Sequence, residues 1–143
     1  MKKRLLLVVV ALLSLTSCTK YNFHRQWHGT YHYVCKTSHW SGPAGQYYHD
    51  TTYYSEGELL VSGVKGSKDV FIALLPDSSH TWQCALTADM ELNLVDSEID
   101  YRGFGGCFIS PDSLYFFCSN YSPGSGYNEE YSCKKRLPRT RRV

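Results

Sequence analysis

The sequence is short of charge and short of helix. Asp, Glu, Lys and Arg make up only 20% of the 143 residues, and Met appears twice. No stretch carries an apolar stripe at helical spacing over a useful length, and no heptad run or internal repeat is present. A helical bundle, a long coiled coil and a solenoid are thereby excluded. No Gly-rich loop leads into a helix, so there is no cradle for a phosphate. No Cys-x-x-Cys occurs, which removes a thioredoxin-like redox site and a zinc knuckle. Hydrophobic residues reach 43%, too many for a disordered chain. The length suits one domain.

The one long apolar run is at the start. Lys2, Lys3 and Arg4 precede an unbroken Leu/Val/Ala run over 5–13, followed by small and polar residues and then Cys18. A bilayer-spanning helix needs about 20 apolar residues, so this run is too short for an ordinary anchor and reads as a secretory signal helix. The ending Leu15-Thr16-Ser17-Cys18 resembles the lipobox of bacterial lipoproteins. That resemblance implies cleavage before Cys18 and lipid on its thiol. Thr19 is not Asp, so the inner-membrane retention signal of that family is absent and an outer-membrane location is expected. Several acyl chains, at about 0.8 kcal/mol per buried CH2, anchor a protein stably.

Removing 1–17 takes away three basic residues and no acidic one, from a total of 15 Lys+Arg and 13 Asp+Glu. Six of the remaining basic residues are Lys134, Lys135, Arg136, Arg139, Arg141 and Arg142. The body, 18–133, is therefore acidic. Export removes nucleic acid as a partner for the basic tail. Anionic head groups or plain solvent remain.

The rest reads as strands and turns. Trp27, Tyr31, Tyr33 and Cys35 fall on one face of an alternating segment, with His28, Thr30, His32 and Val34 on the other. Residues 37–46 read as a loop and 47–54 as a second strand. Ser55-Glu56-Gly57 reads as a turn before a third strand over 58–64. Further strands are expected at 69–75, 81–87, around Met90–Leu92–Leu94, around Ile99–Tyr101, at 107–109, 114–118 and 129–134. Gly103, Gly105 and Gly106 suggest a bulge or bend, and 120–127 reads as a loop. Short strands with frequent turns predict an all-β fold: a single antiparallel meander barrel or a β-sandwich, after the N-terminal signal helix. The expected organisation is a signal peptide over 1–17, a lipidated tether over 18–26, a β-barrel domain over 27–134 and a basic tail over 135–143.

Three short motifs point the same way. They are Trp27-His28-Gly29-Thr30-Tyr31 soon after the anchor, Gly57-Glu58-Leu59, and the late turn Ser110-Pro111-Asp112-Ser113-Leu114. Their order resembles the small lipocalin-like lipoproteins of Gram-negative bacteria. The resemblance implies a one-domain barrel that binds a small apolar or amphipathic molecule. Eight strands can hold one small ligand or fill with side chains. The residues expected to line the interior are Trp27, Tyr31, Tyr33, Phe71, Trp82, Leu92, Leu94, Phe116 and Tyr131.

Five cysteines remain once Cys18 is acylated, in an oxidising compartment. Cys35 and Cys133 lie on apolar faces of strands that a barrel places side by side, so a disulfide between them is expected. Pairing Ile109 with Leu114 puts Cys107 opposite Phe116, which leaves Cys107 and Cys118 marginal for a bridge. His28 and His32 share a side but stand about 13 Å apart along a strand, too far to chelate one ion, so no metal is expected. No cofactor is expected either. Twelve tyrosines suit cross-strand packing or an aromatic surface for a protein or glycan partner. Asp112-Ser113-Leu114 and Asp50-Thr51-Thr52 resemble short O-glycosylation signals of some bacterial envelope proteins. Ser62-Gly63-Val64-Lys65 matches Ser-x-x-Lys but lies in an expected strand without partner motifs. Asp96, Glu98 and Asp100 alternate outward. A binding protein, not an enzyme, is the expectation.

Overall fold

A computed structural model describes residues 25–43, 48–64 and 66–137. The expected signal peptide over 1–17, Cys18 and the part of the expected tether up to residue 24 lie outside the described residues, as does the expected tail from residue 138. A 3-10 turn, Arg25–Trp27, leads into eight strands: β1 (Gly29–Ser41), β2 (Tyr48–Gly63), β3 (Asp69–Leu74), β4 (Thr81–Leu86), β5 (Glu91–Ser97), β6 (Gly103–Ser110), β7 (Ser113–Ser122) and β8 (Ser125–Lys135). Each strand pairs antiparallel with the next, and β8 pairs back to β1. The sheet is a closed meander barrel, and closure decides against the sandwich. Over the barrel proper it also removes the edges that an open sheet of this composition would expose, leaving only the length of β2 before Glu58 unpaired on one side among the described residues.

The parity of β1 follows the alternation in its sequence. Tyr31, Cys35 and Thr37 are buried and Tyr33 is half-buried, whereas His32 and Val34 are exposed. The interior is a continuous apolar cluster. Trp27, Tyr31, Trp82, Leu92, Phe116 and Tyr131 belong to it, and Tyr33 and Leu94 pack against it. Phe71 does not. Val70, Ile72 and Ala73 are the buried residues of β3, and Phe71 points outward beside Gln83 and Ser62. A nearly unbroken apolar strand leaves its inward parity open, and here the β-branched pair Val70 and Ile72 takes the core.

Two expected breaks are absent. Ser55-Glu56-Gly57 lies inside β2, a single strand of 16 residues. Gly57 is there because Tyr33 lies across it: a Cβ at that position would meet the Tyr33 hydroxyl at 2.7 Å. In the same way Gly105 and Gly106 sit under Phe117 and Phe116 within β6, so no bend is needed. Segment 37–41 continues β1, and 120–127 holds the ends of β7 and β8 around the turn at Pro123 and Gly124.

The cysteines are also placed differently. Cys35, Cys84, Cys107, Cys118 and Cys133 are all free thiols. Cys35 stands opposite Tyr131, and Cys133 opposite Tyr33. The two are diagonal neighbours two residues out of register, and diagonal separations of about 7–8 Å exceed disulfide reach. The expected Cys35–Cys133 bridge is thus not formed. A bulge between Phe108 and Ser110 shifts the β6–β7 register, so Cys107 faces Tyr115 and Cys118 faces Phe104. Cys107 and Cys118 therefore lie on opposite faces of the sheet.

One end of the barrel is shut. Trp27 packs on Phe108 with ring centroids 4.7 Å apart, and the Tyr31 hydroxyl donates to the Trp27 carbonyl at 2.8 Å. Lys135 Nζ donates to the Gln26 carbonyl at 2.7 Å, tying the last strand to the entering chain. The other end is open. There β1 and β2, and β7 and β8, run on beyond the barrel proper, because β3 pairs with β2 only over 59–63.

Candidate functional site

The middle of the barrel is full. Phe116 and Tyr131 stack, and Trp82 meets both edge-on, with centroids 5.2 and 5.7 Å away. Tyr33 closes on Tyr131 at 5.4 Å and Phe104 on Phe116 at 6.2 Å. These rings occupy the volume that a deep ligand would need. Of the nine residues expected to line a cavity, Trp27 and Tyr31 shut the closed end. Tyr33, Trp82, Leu92, Leu94, Phe116 and Tyr131 form or adjoin the packed centre, and Phe71 lies outside. Phe71 there lines a shallow outer groove of about 260 Å³ with Thr81, Gln83, Asp96, Ser97 and Glu98.

Above the packed centre the inner face continues onto the open mouth. One row across four strands reads Tyr53, Thr37, Glu129, Cys118. The next row outward reads Thr51, His39, Tyr127, Asn120. His39 is the hinge between them. Its ring lies over Tyr53 with centroids 5.7 Å apart and 18° between planes, and 6.0 Å from Tyr127. The His39 Nε2 and the Tyr53 hydroxyl are 3.4 Å apart. Tyr53 keeps 51% of its surface exposed, so this wall faces solvent.

Glu129 is the charged group of this surface. Its Oε2 accepts from the Tyr131 hydroxyl at 3.3 Å and from the Cys118 thiol at 3.4 Å. Among the described residues it has no ion-pair partner, whereas its neighbour Glu130 turns outward to Lys36 and Glu58 pairs with Arg136. Burial, and then the Glu129 carboxylate, push the Tyr127 and Tyr131 phenols and the Cys118 thiol upward. The same charge reaches Tyr33, Tyr101 and Cys35, behind burial and nearer groups. The result is a carboxylate ringed by neutral phenols and thiols, with aromatic walls above it.

Sequence reasoning missed Thr37, His39 and Tyr127 because 37–46 and 120–127 read as loops, and it placed Tyr53 and Glu129 in strands (47–54 and 129–134) without showing that the neighbouring strands bring them together at the mouth. The signal was present. Tyr127, Glu129, Tyr131 and Cys133 alternate on one side of β8. Between Tyr127 and Cys133 Glu129 is the one acid on an otherwise apolar and aromatic face, and such a residue is either paired or functional.

No protein-family model matches this chain, and no curated protein matches its sequence.

Proposed function

We propose that the chain is an envelope-anchored lipoprotein, held at the outer membrane by lipid on Cys18, whose barrel takes a small amphipathic ligand at its open mouth. The anchor reading rests on the lipobox-like ending of the first 18 residues. The ligand reading rests on one observation: the inner face runs past the packed centre as an exposed wall of His39, Tyr53 and Tyr127 above Glu129. Small-molecule sites combine apolar and aromatic walls with few convergent polar groups, and this surface has that make-up. A ligand would lie in the mouth and leave the Trp82–Phe116–Tyr131 centre intact. No catalysis is proposed.

Native mass spectrometry of the chain purified from the envelope tests this. A co-purified small molecule that is lost from the Tyr53→Ala variant supports the reading. A bare protein overturns it.

A second reading is favoured by a different observation. The length of β2 before Glu58 pairs with β1 on one side and has no strand partner among the described residues on the other. Tyr53 and Tyr54 on this edge are 51% and 69% exposed. Such an edge accepts an added strand, so a structural module that binds a protein or glycan partner in the envelope is the alternative. Crosslinking from position 54 to an envelope protein would support it.

A further inference from the structure

We infer that the mouth selects organic cations: an ammonium group carried on an apolar body, with Glu129 as the counter-ion. The inference rests on the mouth being the ligand site and names the chemistry it takes.

Glu129 lies on the inner face, half-buried, with two donors on Oε2 and, among the described residues, none on Oε1. Those donors are a phenol and a thiol, both neutral. The described residues supply no cation to it. A carboxylate held this way favours an opposite charge within a few ångströms, and a ligand is then the source of that charge. The walls agree. Tyr53 and Tyr127 carry electron-rich ring faces, which attract a cation and repel an anion. The loops at this end of the barrel agree as well. Residues 75–80 and 98–102 bring Asp77, Glu98 and Asp100, against a single Arg102 that lies 5.1 Å from the Tyr121 ring. A cation approaching the mouth meets an attractive field, and an anion a repulsive one. A neutral ligand such as a sugar could stack on the rings, but it would leave the carboxylate uncompensated.

Three benzyl probes of similar size that differ in head-group charge separate these cases: benzylammonium, benzyl alcohol and phenylacetate. They are titrated by calorimetry into the unlipidated chain from Thr19 onward. Every barrel strand and the 3-10 turn lie within 25–135, so that chain keeps the whole fold. The ammonium probe is expected to bind about tenfold more tightly than benzyl alcohol, with phenylacetate weakest. Glu129→Gln is expected to abolish that preference. Glu130→Gln, on the outer face, is expected to keep it. Tyr53→Ala, at an exposed position that the fold tolerates, should weaken all three probes.

If the three probes bind alike, and Tyr53→Ala weakens them while Glu129→Gln does not alter their order, the cation assignment falls and the mouth stands. If neither variant changes binding, the site is elsewhere and both fall. Absence of binding by the ammonium probe also overturns the cation assignment. A thermal melt of Glu129→Gln checks that the variant is folded. Should it not be, loss of the cation preference in Tyr127→Ala carries the test instead.

Discussion

Phe116 and Tyr131 face each other across the β7–β8 pair, with ring centroids 4.5 Å apart and planes 3° from parallel. Direct cross-strand neighbours on one face are close enough for such contact, and the pair sits where Trp82 can lie edge-on to both rings. This arrangement decides what kind of barrel the chain forms. The centre is a packed core and leaves no room for a ligand among these rings.

Truncating that core carries a defined cost. Phe116 is fully buried, so Phe116→Ala removes a ring and leaves a cavity among Trp82, Phe104 and Tyr131. A loss of about 3–5 kcal/mol is expected, read from urea unfolding. Tyr131→Phe keeps the stack and removes only the hydroxyl that bonds Glu129. Its cost should be about 1 kcal/mol. A Phe116→Ala variant as stable as the parent would show that the centre is not packed as described.

The thiols give a second expectation. Cys35, Cys84, Cys118 and Cys133 are buried, and Cys107 is partly exposed on the outer side of β6. Alkylation of the folded chain from Thr19 onward, which lacks Cys18, should without reductant add one label quickly, at Cys107. Unfolding, still without reductant, should release the other four. Intact mass reads both numbers. Fewer than five labels after unfolding would mean that a disulfide exists.

Much of this fold is legible in the chain. The alternation Tyr31-His32-Tyr33-Val34-Cys35 fixes which side of β1 faces in, because a one-residue slip would bury His32. Hidden from the sequence is whatever depends on a neighbouring strand. Gly57 looks like a turn residue until Tyr33 is placed across it. Phe71 looks like core until Val70 and Ile72 claim the inner face. Cys35 and Cys133 look like partners until the register sets them two residues apart. The mouth was missed for the same reason: Glu129 gains its meaning from Tyr131 and Cys118, one of them on another strand.

Gly106 tests the cross-strand account of the glycines. A Cβ there would lie 2.5 Å from Phe116 Cβ, 2.6 Å from the Tyr115 carbonyl oxygen and 2.7 Å from Phe116 Cα. Two of these are backbone atoms, which cannot swing aside. Gly106→Ala is therefore expected to destabilise by about 1–3 kcal/mol, as overpacking does. Gly66 is the contrast. It has a φ of +78° and open space around it, so Gly66→Asn should be close to neutral. Thermal melts of the two variants decide. Equal effects would refute the packing explanation.

The buried thiols also set how stability depends on pH. Burial pushes the Cys84 thiol from its ordinary 9.0 up to about 12, and burial with the neighbouring Cys35 thiol does the same for Cys133. The folded protein therefore holds these protons where the unfolded chain has released them. Stability is complete below pH 9 and falls as pH rises toward 12. Each thiol contributes a slope of at most about 1.4 kcal/mol per pH unit across that window. Burial also raises the Tyr31, Tyr101 and Tyr131 phenols from 10.0, which steepens the fall at its upper end. Urea midpoints measured from pH 7 upward should stay level and then drop on entering the alkaline window. Cys84→Ala and Cys133→Ala should each lower stability at neutral pH and flatten the alkaline slope. A variant that keeps the full parental slope would show that its thiol is not the buried proton-holding group assigned here.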